Sequence, residues 1–183
     1  MVSCIDLPRL VLRAPDPAMA GAVEAYYRRN RDFLAPFEPA SDESIYTADY
    51  QRTRLAAEAE DFGQSSCRFY LFRPEHEDEL IGTIALSSIV RGCFLSCFLG
   101  YKLDRAYLNR GYMTDAVNAI VDVAFTELSL HRVEANVMPH NTPSLRVLQK
   151  CGFAEEGRSE KYLKINGTWQ DHIHMVKRNG ALE

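Results

Sequence analysis

An α/β domain is what this sequence predicts, and three stretches predict it. The first is 94–153. There an apolar strand-like run, FLSCFLGYKL (94–103), passes through a short turn into a helical pattern over 114–128. In that pattern Val117, Ile120, Val121, Ala124 and Leu128 recur at a spacing of about 3.6 residues. A strand-like VEANV (133–137) and a short helical piece complete the stretch. The second signal is a meander of strand-like runs at 68–73, 80–90 and 93–103. The third is Asn166-Gly167 between runs 154–165 and 168–177, the sequence of a type I′ hairpin turn.

Taken in order, residues 9–14 read as the first strand. Asp16 then caps a helix whose first residue is Pro17, running to about Asn30. The segment 31–40, with two prolines and clustered Phe33, Leu34 and Phe37, reads as irregular. Either its aromatics pin it to the core or it walls a ligand groove. A mostly polar helical ribbon covers 45–62 and stops at Gly63. The acidic PEHEDE reads as the solvated tip of the turn between the strands at 68–73 and 80–90. In MPHNTPSLRVLQKCGF (138–153), Thr142 can cap, Pro143 suits the first helical position and Gly152 stops the helix.

The length, 183 residues, suits one domain (1–183, core 9–178) with a full hydrophobic core. A net charge of −4 argues against non-specific binding to nucleic acid or anionic membrane, but not against a small basic groove. No run approaches a membrane span or a signal peptide. The five cysteines lack ligand spacing and read as reduced thiols, which points to the cytoplasm. His172 and His174, two apart on a strand, could share a face. No third ligand is spaced to join them, so they read as a satisfied or half-exposed pair and no metal is expected.

One motif points to an anion. In Asn109-Arg110-Gly111-Tyr112-Met113-Thr114, a glycine that allows close backbone approach opens a helix whose first amides and dipole favour negative charge. Arg110 adds a charged donor.

Several of these segments together resemble the Gcn5-related N-acetyltransferases (GNAT), and within them the ribosomal-protein alanine N-acetyltransferase branch. The likeness rests on Arg9–Arg13, the FLxPFEP pattern in 30–39, Ile81-Gly82, Val90-Arg91-Gly92, Leu99-Gly100-Tyr101, the block 138–153, Glu156-Gly157 and 167–171. It implies a bent, mixed seven-stranded sheet with helices on both faces. It also implies acetyl transfer from acetyl-CoA to an amine: the N-terminal α-amine of a protein or peptide, or otherwise a small-molecule amine. A non-catalytic acetyl-CoA-binding domain, monomeric or homodimeric like the others, is the third reading.

The family's pyrophosphate loop, Gln/Arg-x-x-Gly-x-Gly/Ala, falls on 108–113. Gly111 is retained, Leu108 and Met113 depart from the pattern, and Asn109 occupies a place where a glycine often sits. Thr114 follows it in the first turn. The resemblance lays the pantetheine arm in a splay against Tyr101, Lys102 and Leu103, with Asn141 and Ser144 beside it. Many relatives carry an acidic tyrosine where this chain has Leu148. Glu134 is the first candidate for the base and Asn141 the next for positioning. Phe33, Phe37 and Tyr162 would wall the acceptor.

Overall fold

Eight strands form one sheet in the computed structural model, which describes residues 1–183. They are β1 (Cys4–Asp6), β2 (Val11–Arg13), β3 (Cys67–Phe72), β4 (Gly82–Val90), β5 (Ser96–Leu103), β6 (Arg132–Val137), β7 (Ala154–Ile165) and β8 (Thr168–Arg178). The order across the sheet is β1-β2-β3-β4-β5-β6-β8-β7, and every pairing is antiparallel except β5 with β6. The expected seven strands are thus eight. The additional one, β1, is three residues long, too short for a period-2 pattern, and exists through its pairing with β2.

The helices are α1 (Ala20–Leu34), α2 (Ala48–Asp61), α3 (Tyr112–Thr126) and α4 (Thr142–Lys150). Asp16 caps as expected, but it caps a single 3-10 turn at Pro17–Met19 that leads into α1. That helix runs four residues beyond Asn30, and a second 3-10 turn, Ala35–Phe37, follows it. The ribbon expected over 45–62 divides at Thr47, whose side chain caps α2. For α4 the cap is Asn141 rather than Thr142. Its Oδ1 accepts from the Ser144 amide at 3.3 Å, which moves Pro143 inside the first turn.

Two apolar layers sandwich the sheet. On one face α3 and α4 bury Val117, Ile120, Val121 and Leu148 against Leu12, Phe69, Ile84, Leu99, Val133 and Met175. On the other, α1 and α2 bury Val23, Tyr26, Leu34 and Leu55 against Tyr70 and Phe72. Side chains alternate across a strand, so this second face also carries Lys102, which reaches Tyr27 of α1, and Phe98, Glu134, Asn136, His172 and His174.

A buried carboxylate ties α1 to the connection entering α3. Asp104 is 3% exposed and accepts from Arg29 Nε at 2.5 Å, Asn30 Nδ2 at 2.9 Å and the Ala106 amide at 2.8 Å. Asn30 Oδ1 in turn accepts from the Arg105 amide at 3.0 Å. Burial alone would raise the Asp104 carboxyl, yet these donors outweigh it and hold the group below the usual carboxylate range.

The parallel pair β5–β6 matters most for function. It is laddered at only three positions, Ser96↔Arg132, Cys97↔Val133 and Phe98↔Glu134. β5 stays paired to β4 as far as Leu103, and β6 stays paired to β8 as far as Val137. The two strands therefore diverge after Phe98 and Glu134, leaving a wedge whose facing edges lack ladder partners.

Candidate active site

The wedge between β5 and β6 meets the start of α3 on the helix-covered side. Gly111 is the N-cap of α3, at φ 83, and no side chain caps that helix end. The contrast with its neighbours is informative: Thr47 caps α2, Asn141 caps α4, and α1 grows out of a capped 3-10 turn. Only α3 leaves its first-turn amides to something outside the chain.

The turn holds its shape without the family's second glycine. Asn109 stands at φ 59, in the left-handed region that asparagine tolerates better than other non-glycine residues. Met113 is 5% exposed and packs into the core, so its side chain anchors the turn from behind. Arg9, expected at the start of the first strand, lies instead in the loop before β2, and no role in the site was read for it from sequence. Its Nη1 donates to the Arg110 carbonyl at 2.8 Å and its Nη2 pairs with Asp115 at 2.5 Å. Asp115, an acid in the first turn, is thereby neutralised beside the open amides. Arg110 lies over the Tyr107 ring at 5.6 Å and stays exposed.

Across the wedge, Tyr101 and Ser144 join the two sides. Tyr101 Oη lies 2.8 Å from Ser144 Oγ and 3.2 Å from the Ser144 carbonyl. Burial pushes the Tyr101 phenol well above its ordinary value. Asn141 spends its Oδ1 on the cap and keeps its Nδ2 free of protein partners. Leu148, where an acid was expected from relatives, is fully buried in the α4 core and takes no part.

The opposite face of the wedge is polar. Glu134 Oε2 accepts from Arg132 at 2.7 Å, and its Oε1 lies 3.0 Å from His174 Nδ1. Burial would raise this carboxyl, but Arg132 and His174 outweigh it and hold Glu134 below the usual range. His174 Nδ1 also lies 2.6 Å from Asn136 Oδ1, and its Nε2 lies 2.8 Å from Ser159 Oγ. Tyr162 stands against both histidines, ring centroids 5.8 Å from His172 and 5.0 Å from His174. A bulge in β7 presents it. Asp171 fixes that bulge by accepting from the Lys161 amide at 2.9 Å and from Arg158 at 2.5 Å.

The 31–40 segment does both things its composition allowed. Phe33 and Leu34 pack on the α1–α2 core, whereas Phe37 is exposed and faces His140 at 6.4 Å between centroids. The neighbouring Glu38 pairs with Lys102, whose Nζ also donates to Tyr27 Oη at 3.0 Å. The Glu38 carbonyl accepts from the Asn166 amide at 2.9 Å, so the β7–β8 hairpin tip reaches across to this segment. A cavity of about 220 Å³ lies behind the bridge, lined by residues including Tyr27, Leu34, Glu38, Ile45 and Asn166.

Of the residues expected to act, Tyr101, Lys102, Leu103, Asn141 and Ser144 border the wedge. Asn109 to Thr114 form the uncapped turn, and Phe37 and Tyr162 flank the polar face. Phe33 is brought to the core instead. The His174, Ser159 and Asn136 network was missed, because the spacing of His172 and His174 shows a shared face without showing their partners. All five cysteines are free, with Cys67, Cys97 and Cys151 buried. No group of three or more His, Cys, Asp or Glu side chains could hold a metal, and no helix is long and apolar enough to cross a membrane.

Comparison with known proteins shows the family to which the chain belongs. The acetyltransferase (GNAT) domain family model matches residues 9–154. The chain is 39% identical, over 90% of its length and 85% of the relative's, to the [ribosomal protein uS5]-alanine N-acetyltransferase of Escherichia coli. A solved ribosomal-protein-S5-alanine acetyltransferase from Vibrio fischeri superposes with a TM-score of 0.93, at 34% identity over 98% of both chains. RimJ of Mycobacterium smegmatis, solved in complex with CoA-disulfide, superposes with a TM-score of 0.85 at 27% identity, covering 94% of this chain and 83% of that one.

Proposed function

The chain belongs to the GNAT family and is an N-acetyltransferase, and we propose that it acetylates the N-terminal α-amine of a protein, of the ribosomal-protein kind. The observation that carries the cofactor half is the uncapped, left-handed Gly111 start of α3 opening beside the unladdered β5–β6 wedge. These residues fit acetyl-CoA, which when bound supplies an activated acetyl thioester.

The amides of Tyr112, Met113 and Thr114, with Arg110, hold the pyrophosphate, and Arg9 keeps Asp115 from opposing it. The free edge of β5 at Tyr101–Leu103 offers backbone groups to the pantetheine arm. Asn141 Nδ2 and Ser144 border it from α4. The resemblance to uS5-alanine and S5-alanine acetyltransferases supports the protein acceptor.

A terminal amine suits this site chemically. With a pKa near 8, roughly a tenth of an α-amine is already neutral at pH 7, against well under ~0.1% of a lysine side chain. Positioning can therefore carry much of the rate. Glu134, with its oxygens engaged by Arg132 and His174, acts by holding His174 in place.

Acceptor profiling tests the reading. Peptides beginning with Ala or Ser should gain one acetyl group, and spermidine and free amino acids should not. Transfer to the small amines in preference to the peptides would overturn the choice of acceptor. Absence of acetyl-CoA binding by calorimetry would overturn the cofactor site.

A further inference from the structure

One basic nitrogen on the polar face of the wedge is left without a partner. His172 lies on β8 with 3% of its surface exposed, and its Nδ1 is 3.0 Å from the Gln170 carbonyl oxygen. A carbonyl can only accept, so the proton sits on Nδ1 and a lone pair is left on Nε2. No protein atom hydrogen-bonds Nε2, and the five sealed side-chain atoms that lack partners are elsewhere, so Nε2 keeps contact with solvent. The other candidates on this face are committed. Both Glu134 oxygens and both His174 nitrogens have partners within 3.0 Å.

The position is apt. β8 pairs with β6 so that His174 faces Asn136 and Ile173 faces Val137. His172 is therefore one alternation further toward the open end of the wedge. The groups around it are His174 on its own face of β8, Tyr162 and Ser159 from β7 and His140 from the β6–α4 connection, with the charge of the adjacent Asp171 acting from the other face. Burial, the largest influence, lowers the imidazole below its ordinary value and keeps the ring neutral at pH 7.

We propose that His172 is a catalytic residue of the acceptor side, whose Nε2 receives the incoming amine and takes the proton that amine sheds. The proposal rests on the N-acetyltransfer reading above. The amine nitrogen bonds to the acetyl carbon as the carbon–sulfur bond breaks, and the electron pair of that bond leaves with sulfur as thiolate. The surplus proton on nitrogen passes to Nε2, and the resulting imidazolium, still donating through Nδ1 to Gln170, returns it to water.

Two measurements test this. In wild-type protein labelled with nitrogen-15, His172 should show an unprotonated Nε2 at pH 7, and an Ala-initiated peptide should shift that resonance. With the same peptide, His172→Gln should lower kcat about a hundredfold while acetyl-CoA affinity and Tm stay as in wild type. The acidic limb of the kcat profile, which falls as the ring protonates below its ordinary imidazole range, should disappear in the variant. An Nε2–H tautomer in wild type, or a variant within threefold of wild-type kcat with its acidic limb intact, would overturn the proposal. Wild-type protein that acetylates no amine would instead overturn the function on which it rests.

Discussion

Replacing Gly111 by alanine perturbs the turn at α3 with a single methyl group. At φ 83 an L-residue is strained by about 1–2 kcal/mol. The new Cβ would also stand 3.1 Å from Arg9 Nη2, so the guanidinium must give way. Its pair with Asp115 is half exposed and accounts for only about 0.2–1 kcal/mol more. The total is roughly 1–3 kcal/mol, released if the turn leaves the left-handed region and turns the first-turn amides away. Since about 1.4 kcal/mol is tenfold in affinity, Kd for CoA should rise about 5- to 150-fold. Calorimetric titration of CoA into wild type and Gly111→Ala reads this directly. Acetylpantetheine, which lacks the pyrophosphate, is the control and should bind both proteins alike. Equal CoA affinity in the two proteins, or an equal loss for acetylpantetheine, would refute the assignment of this turn to the pyrophosphate.

Two further outcomes follow from the buried Asp104 and the half-buried Glu134. Asp104→Ala removes the acceptor for Arg29, Asn30 and the Ala106 amide. It should cost about 3–5 kcal/mol in urea unfolding, and Asp104→Asn less; a cost below ~1 kcal/mol would contradict the tie described here. Glu134→Gln should cost about 2 kcal/mol, read as a Tm drop of about 4–8 °C, and should slow acetyl transfer by releasing His174. The Glu134 carboxyl is held low, so its contribution is present above the unfolded carboxylate value near 4.3 and fades as pH falls through the lower folded value. A stability gap between the two proteins that persisted unchanged to pH 2 would contradict this.

Local signals carried much of the fold. Val117 to Leu128 announced α3 by spacing alone, and Asn166-Gly167, at φ 43 and 80, forms the predicted turn. What sequence did not show lies in long-range pairing. Asp104 meets Arg29 and Asn30 from some 75 residues away, so nothing near Asp104 marks it as buried. His172 and His174 were legible as neighbours on a strand. Their difference, one nitrogen free against none, depends on Gln170, Ser159 and β6 all arriving at once. Asn109 shows the reverse case: it stands where relatives often have glycine, and asparagine tolerates the same left-handed backbone angle. Leu148, where relatives carry the tyrosine, is instead a fully buried core residue.

The central claim, transfer of acetyl to a terminal α-amine, is tested most directly on one peptide carrying a free N-terminal alanine and an internal lysine. After incubation with acetyl-CoA at pH 7, fragmentation mass spectrometry locates the label. One acetyl group should appear on the alanine nitrogen, none on the lysine, and none at all when the N-terminus is formylated. Label on the lysine, or undiminished labelling of the formylated peptide, would contradict it.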